Sequence, residues 1–230
     1  MKVLLEAPIL TQSGYGEHSR LVFRALADRG VHIYTNPLNW GQTSWLTSFG
    51  KEREKIERSI NDFYHVKEQF RTDQPFEFDI HIHVGIPNEF EKKAPYSICV
   101  TAGIETDRVS ADWIMKTNEQ IDKLIVPSEH SKFSFTRTAY EVINKKIGTE
   151  EIIECACPVS VVPYPVKEMS PSHLDFKLDT KFNFLSVALL GHRKNIHNMI
   201  SWFLEEFREE DVGLLIKTSS SERAIAPPNT

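Results

Sequence analysis

The chain reads as an α/β protein built on a doubly wound parallel sheet, with the beginning of a second unit of the same plan near its C-terminal end. Three observations predict this. Short apolar runs at 2–6, 32–34, 78–84, 96–101 and 123–126 recur between turn residues and stretches of helical spacing, the pattern of βα units. The first run leads into Ser13-Gly14-Tyr15-Gly16 and then a helical segment, the strand, glycine loop and helix start that open such folds. After a polar stretch at 167–181 the strand–turn–helix–strand order begins again.

In the opening unit, Leu21, Val22, Ala25 and Leu26 share one face of a helix over 17–29, and Gly30 stands as its stop. Gly14 and Gly16 are read as positions of positive φ where backbone can approach a ligand, and the N–H groups near Glu17 and His18 as favouring an anion. A tight turn alone is the plainer reading of the glycine pair. Residues 32–34 form a second strand closed by Asn36-Pro37. The stretch 37–50 holds Trp40, Trp45 and Phe49 without a period and reads as a long binding loop. A charge-rich helix over 51–70 presents a solvated face.

Residues 78–84 alternate, with Phe78, Ile80, Ile82 and Val84 on one face and Asp79, His81 and His83 on the other. Two imidazoles on one strand face are half of a metal site, but the spacing indicates no third ligand, and no metal is expected. A strand at 96–101 leads into Ala102-Gly103-Ile104-Glu105-Thr106-Asp107, and a helix follows over 111–118. The strand at 123–126 ends at Pro127-Ser128, where Ser128 caps a helix over 129–138. Residues 152–162 are apolar and contain Cys155 and Cys157, whose single-residue spacer suits burial rather than a redox or zinc pair.

Residues 1–166 are therefore assigned to a first domain, 167–181 to a linker and 182–230 to an incomplete second domain. The second contains an apolar strand over 182–190, the basic turn Gly191-His192-Arg193-Lys194-Asn195, a helix over 196–208 and a strand over 212–217. One βαβ unit cannot cover both faces of a parallel sheet. A longer enzyme, self-association or a second chain that completes the domain is expected.

A net charge of −5 and a pI near 6.0 argue against a broad nucleic-acid surface. No run approaches the roughly 18 apolar residues of a membrane span, and the N-terminus lacks a signal-peptide layout. Three cysteines do not make a disulfide framework, so the expected location is cytoplasmic.

Several ordered stretches resemble the retaining glycosyltransferases of the two-Rossmann (GT-B) type, family 4-like. Ser13-Gly14-Tyr15-Gly16 is similar to their glycine loop. Glu105-Thr106-Asp107-Arg108, Trp113 and Val126-Pro127-Ser128 resemble their Glu-x-Asp-Arg, Trp and Val-Pro-Ser series. Val161-Val162-Pro163 resembles the strand before the interdomain linker, and 184–195 with its Arg-Lys-Asn turn resembles the start of the donor domain. The resemblance implies a Rossmann-like acceptor-side domain followed by the start of a Rossmann-like nucleotide-sugar domain. It departs from the family in three ways. Leu189-Leu190-Gly191 stands where many relatives carry an arginine, no histidine matches near 102–106, and the family's two-glutamate motif would lie beyond residue 230.

The implied activity is transfer of a sugar from a nucleotide-diphosphate sugar to an unknown acceptor hydroxyl with retention, and no cofactor. Arg193 and Lys194, with Gly14 and Gly16, are expected at the donor phosphates. Tyr15 and His18 are expected at the acceptor, and Glu105 and Asp107 to bind acceptor hydroxyls or act as base. Capping of the helix at 111 is the competing role for those two carboxylates. The chain contains no Asp-x-Asp, which argues for a metal-independent reaction. A nucleotide-dependent oxidoreductase is disfavoured because Ser19 stands where the third glycine of Gly-x-Gly-x-x-Gly belongs. A non-catalytic sugar- or nucleotide-binding module is the alternative.

Overall fold

The computed structural model describes residues 1–40, 50–69, 77–143, 150–166, 168, 170–173, 175–188 and 190–218. The expected aromatic residues Trp45 and Phe49, the turn residue Leu189 and the polar tail from 219 lie outside these. The chain divides into two compact units, Met1–Val166 and Lys167–Thr230.

In the first unit, β1 (Lys2–Ala7), β2 (His32–Pro37), β3 (Ile80–Val84), β4 (Tyr96–Val100), β5 (Lys123–Val126) and β8 (Val159–Val161) form one six-stranded sheet. Its order is β2-β1-β3-β4-β5-β8 and every pairing is parallel. Strand β1 thus lies between β2 and β3, and the winding reverses there. In open α/β sheets that reversal opens a crevice beyond the carboxyl ends of the strands.

Alternation along the strands builds the two faces. Val3, Leu5 and Ala7 meet Ile33, Ile82 and Val84 under helix α1 (Gly14–Ala27) and the first half of α2 (Lys51–Gln69), which supplies Ile56 and Ile60. On the other face Cys99, Leu124 and Val126 pack against Ile114 of α3 (Ala111–Gln120) and Phe135 of α4 (Glu129–Thr136). Leu4 and Tyr34 pack with Phe63 and Val66 of α2 and with Phe78. The apolar residues of α2 recur every three or four positions, and its charged residues are mostly exposed.

The structure differs from the sequence expectations in three places. Helix α1 begins at Gly14, because Ser13 caps it by accepting from the Gly16 N–H at 3.0 Å. Gly14 and Gly16 are therefore helical residues, and the positive-φ glycines among the described residues are Gly30 and Gly50. Gly30, at φ 68, does end the helix, as its left-handed backbone requires. Third, residues after α4 form an antiparallel pair, β6 (Ala139–Ile143) with β7 (Glu150–Glu154), that the sequence reading did not contain. All three cysteines are free, with Cys99 and Cys157 buried and Cys155 half-buried.

In the second unit, β9 (Phe182–Val187) pairs in parallel with β10 (Val212–Lys217), and α5 (Ile196–Glu206) connects them. Phe184 packs on Phe203 and Phe207 of the helix side, while Phe182, Leu185, Val187 and Trp202 remain exposed. Among the described residues no helix is long and apolar enough to cross a membrane.

Candidate functional site

The crevice at the carboxyl end of β1 is shaped by its own chain. The Arg20 guanidinium, buried beneath the loop, donates to the Ile9 carbonyl at 2.8 Å and the Thr11 carbonyl at 3.0 Å. Glu17 accepts from Arg20 Nε at 2.9 Å. Thr11 Oγ1 donates to the Pro8 carbonyl and lies 2.8 Å from Ser13 Oγ. A Cβ on Gly16 would overlap the Thr11 carbonyl oxygen and lie 2.7 Å from Thr11 Oγ1, so glycine is required there by close packing. Gly14 has open space where a Cβ would stand. Because Ser13 takes the Gly16 N–H, and its carbonyl takes the Glu17 N–H, the helix donors that remain directed outward are those of Gly14 and Tyr15. They stand one turn earlier than the sequence placed them.

Tyr15 and His18, three residues apart in α1, stand close to one another on the first turns of this helix. The Tyr15 hydroxyl reaches the end of β4, 3.3 Å from Thr101 Oγ1, and accepts from the Ala102 N–H at 3.3 Å. Its ring lies 4.6 Å from that of Trp40. His18 meets the Tyr164 ring edge-on at 4.7 Å, and its Nδ1 is buried without a hydrogen-bond partner. Burial holds the His18 imidazole down to about 4, so it is neutral near pH 7. It borders an apolar groove of about 370 Å³ with Leu21, Val22, Val100, Val162 and Pro163.

Glu105 and Asp107 both stand exposed in the loop after β4. That loop is fastened to α4. Ser131 Oγ accepts from the Ile104 N–H at 3.1 Å, and Ser134 Oγ donates to the Thr106 carbonyl at 2.8 Å. The N-cap of α3 is Ser110, which accepts from the Trp113 N–H. In the second unit, Arg193 and Lys194 form an exposed 3-10 turn immediately before α5. Asn195, at φ 51, precedes the helix without capping it through its side chain, and its Oδ1 instead accepts from Asn198 at 2.8 Å.

The fold also assembles a cluster that sequence spacing did not predict. Register sets Glu6 of β1 opposite His83 of β3, and Leu4 opposite His81. Glu6, His81 and His83 therefore share a sheet face at the reversal of winding, and all three are buried. Glu6 Oε2 lies 3.0 Å from His81 Nε2, 2.9 Å from Lys93 Nζ and 3.9 Å from His83 Nδ1, and its Oε1 accepts from Asn36 at 2.6 Å. Burial pushes the Glu6 carboxyl up, but His81, His83, Lys93 and Asn36 together pull harder and hold it ionised well below the usual carboxylate range. Gly85 makes room for the ring, since a Cβ there would lie 2.6 Å from His83 Nε2. The third group absent from the His81/His83 spacing is thus Glu6, from a strand 75 residues earlier. Parity along 78–84 pairs the two histidines, but only the strand order brings the carboxylate.

Comparison with known proteins found no matching family model and no matching curated protein.

Proposed function

We propose that the chain is the acceptor-side domain and the opening of the donor domain of a retaining, metal-independent glycosyltransferase of the GT-B type. The observation that carries this reading is the pair of helix starts at the carboxyl ends of parallel strands. One follows the loop 8–13 and directs the Gly14 and Tyr15 N–H groups outward, and the other follows the basic turn of Arg193 and Lys194. Departure of a nucleoside diphosphate leaves negative charge on its phosphate oxygens. Cations and helix-start N–H groups stabilise such charge directly. Arg193 supplies a planar fork and Lys194 a compact charge. Tyr15 and neutral His18 offer hydroxyl and ring nitrogen to acceptor hydroxyls, and Glu105 or Asp107 orients the attacking one. In the family that the sequence resembles, the donor phosphate takes the acceptor proton, so no side-chain nucleophile is required.

The test is a panel of nucleotide sugars incubated with the protein and read by mass spectrometry for release or transfer of sugar. Turnover of one donor, lost in Arg193→Ala, supports the reading. Binding without turnover identifies a non-catalytic sugar- or nucleotide-binding module. That second reading is favoured by the second unit, whose described strands number two and leave Phe182, Leu185 and Val187 exposed. No binding of any nucleotide sugar sinks both.

A further inference from the structure

We propose that Glu6, His81 and His83 form a binding site for a divalent transition-metal ion such as Zn²⁺, and that the Lys93 ammonium occupies the carboxylate when the ion is away. The ligand atoms all lie within 4.8 Å of one another. Zinc bonds of about 2.0–2.1 Å in a tetrahedral arrangement set neighbouring ligand atoms about 3.3 Å apart. The separations of 3.0 Å from Glu6 to His81 and 3.9 Å from Glu6 to His83 bracket that value, and the two histidine ligand atoms lie within 4.8 Å of each other, so modest shifts of the rings are what bonding geometry requires.

Two independent observations separate this cluster from an ordinary buried ion pair. Both ring nitrogens of His83 are buried without a hydrogen-bond partner, although the ring is directed towards a carboxylate. A buried polar atom left in that state destabilises the fold unless something pairs with it. A metal ion at Nδ1 is such a partner. Moreover, the cation that now holds the carboxylate is the removable one. The Lys93 side chain is 40 % exposed, whereas those of Glu6 and His81 are at most 4 % exposed, so the ammonium can swing into water while the ligands stay. Glu6, Asn36 and Lys93 also line a cavity of about 540 Å³, which supplies the route by which an ion enters.

The ligand chemistry narrows the ion. Two imidazoles and one carboxylate suit Zn²⁺ and its first-row neighbours, whereas Ca²⁺ and Mg²⁺ take oxygen ligands. Asn36 stays on Glu6 Oε1 and orients the carboxylate, the role outer hydrogen bonds play at metal sites. The ion would join β1 to β3 beneath the crevice. It takes no part in sugar transfer, and the site stands whether or not the chain is a transferase.

The experiment uses chelator-treated full-length protein titrated with Zn²⁺ against a chromophoric competitor, and with Co²⁺ for its d–d absorption. One equivalent should bind and raise the melting temperature. Lys93→Met, which keeps the stem and removes the competing charge, should tighten Zn²⁺ binding about tenfold or more. His83→Gln should weaken it at least about 100-fold while circular dichroism remains native, because His83 makes no hydrogen bond that the fold depends on. Two results overturn the proposal. One is the absence of stoichiometric binding in both the natural chain and Lys93→Met. The other is binding of equal strength in His83→Gln, which would assign the ion to another of the nine histidines.

Discussion

Acidification should expose the state of His18. Its imidazole is held down to about 4 by burial, against about 6.5 in an unfolded chain. The unfolded state therefore binds the proton first, and folding stability falls as pH drops from 6.5 towards 4. A displacement of that size is worth about 3 kcal/mol when complete, and about 2 kcal/mol has been lost between pH 7 and pH 5. Glu17 precedes His18 in α1, Arg29 lines the same groove, and the Tyr164 phenol packs against the ring. Burial, then Tyr15, pushes that phenol up, so it stays neutral through the window. Urea unfolding of the natural chain and of His18→Leu, at pH 7, 6, 5 and 4.5, isolates the effect. The leucine suits the apolar groove and removes an unpartnered Nδ1, so the variant should match the natural chain near pH 7 and lose less on acidification. An NMR titration of the ring supplies the same quantity directly. Parallel stability losses in both proteins, or a ring that titrates near 6.5, would refute the argument.

The two glycines at the start of α1 should behave oppositely. Gly16→Ala forces a Cβ onto the Thr11 carbonyl and should cost at least about 2 kcal/mol of unfolding free energy in denaturant. Gly14→Ala enters open space in a helix and should be neutral or stabilising by up to about 1 kcal/mol; weaker diphosphate binding at undiminished stability would mark Gly14 as a ligand-approach position. Arg193→Ala and Lys194→Ala should each weaken nucleoside-diphosphate binding by about 1–3 kcal/mol with little change in melting temperature, and calorimetry with unchanged affinity in both would remove the basic turn from the site. Sugar transfer should continue in EDTA at temperatures well below unfolding, whereas complete loss restored by a divalent ion would contradict a metal-independent reaction.

Much of the layering was legible because the residues that build it are repetitive. The aliphatic runs that became β1, β3, β4 and β5 need no partner to be recognised, and Gly30 marks the end of α1 by the backbone only glycine adopts readily. The start of α1 was misplaced because Gly-Tyr-Gly has low helix propensity. A single cap from Ser13 to Gly16 overrides it. The hairpin of β6 and β7 escaped because Glu141, Glu150 and Glu151 dilute the alternation that signals a strand. Ser110 takes the cap of α3 because it stands immediately before Ala111, three residues nearer than Asp107 and five nearer than Glu105. Of the buried cluster, alternation along 78–84 reveals the two histidines but not Glu6, since chain order says nothing about which strand lies beside β1.

The carboxylate beneath the crevice also bears on how β3 finds its place. If β3 slid by one residue against β1, every side chain would exchange faces. His81 and His83 would then enter the aliphatic layer under α1, and Ile80 and Ile82 would close over an ionised Glu6 with no donor from β3. Both errors bury polar groups without partners, and each costs several times what a mismatched aliphatic contact does. A strand made only of isoleucine and valine would tolerate that slip far better. Proofreading of alignment is therefore built into the joint where the sheet's winding reverses, between strands that must find each other across 75 residues of chain.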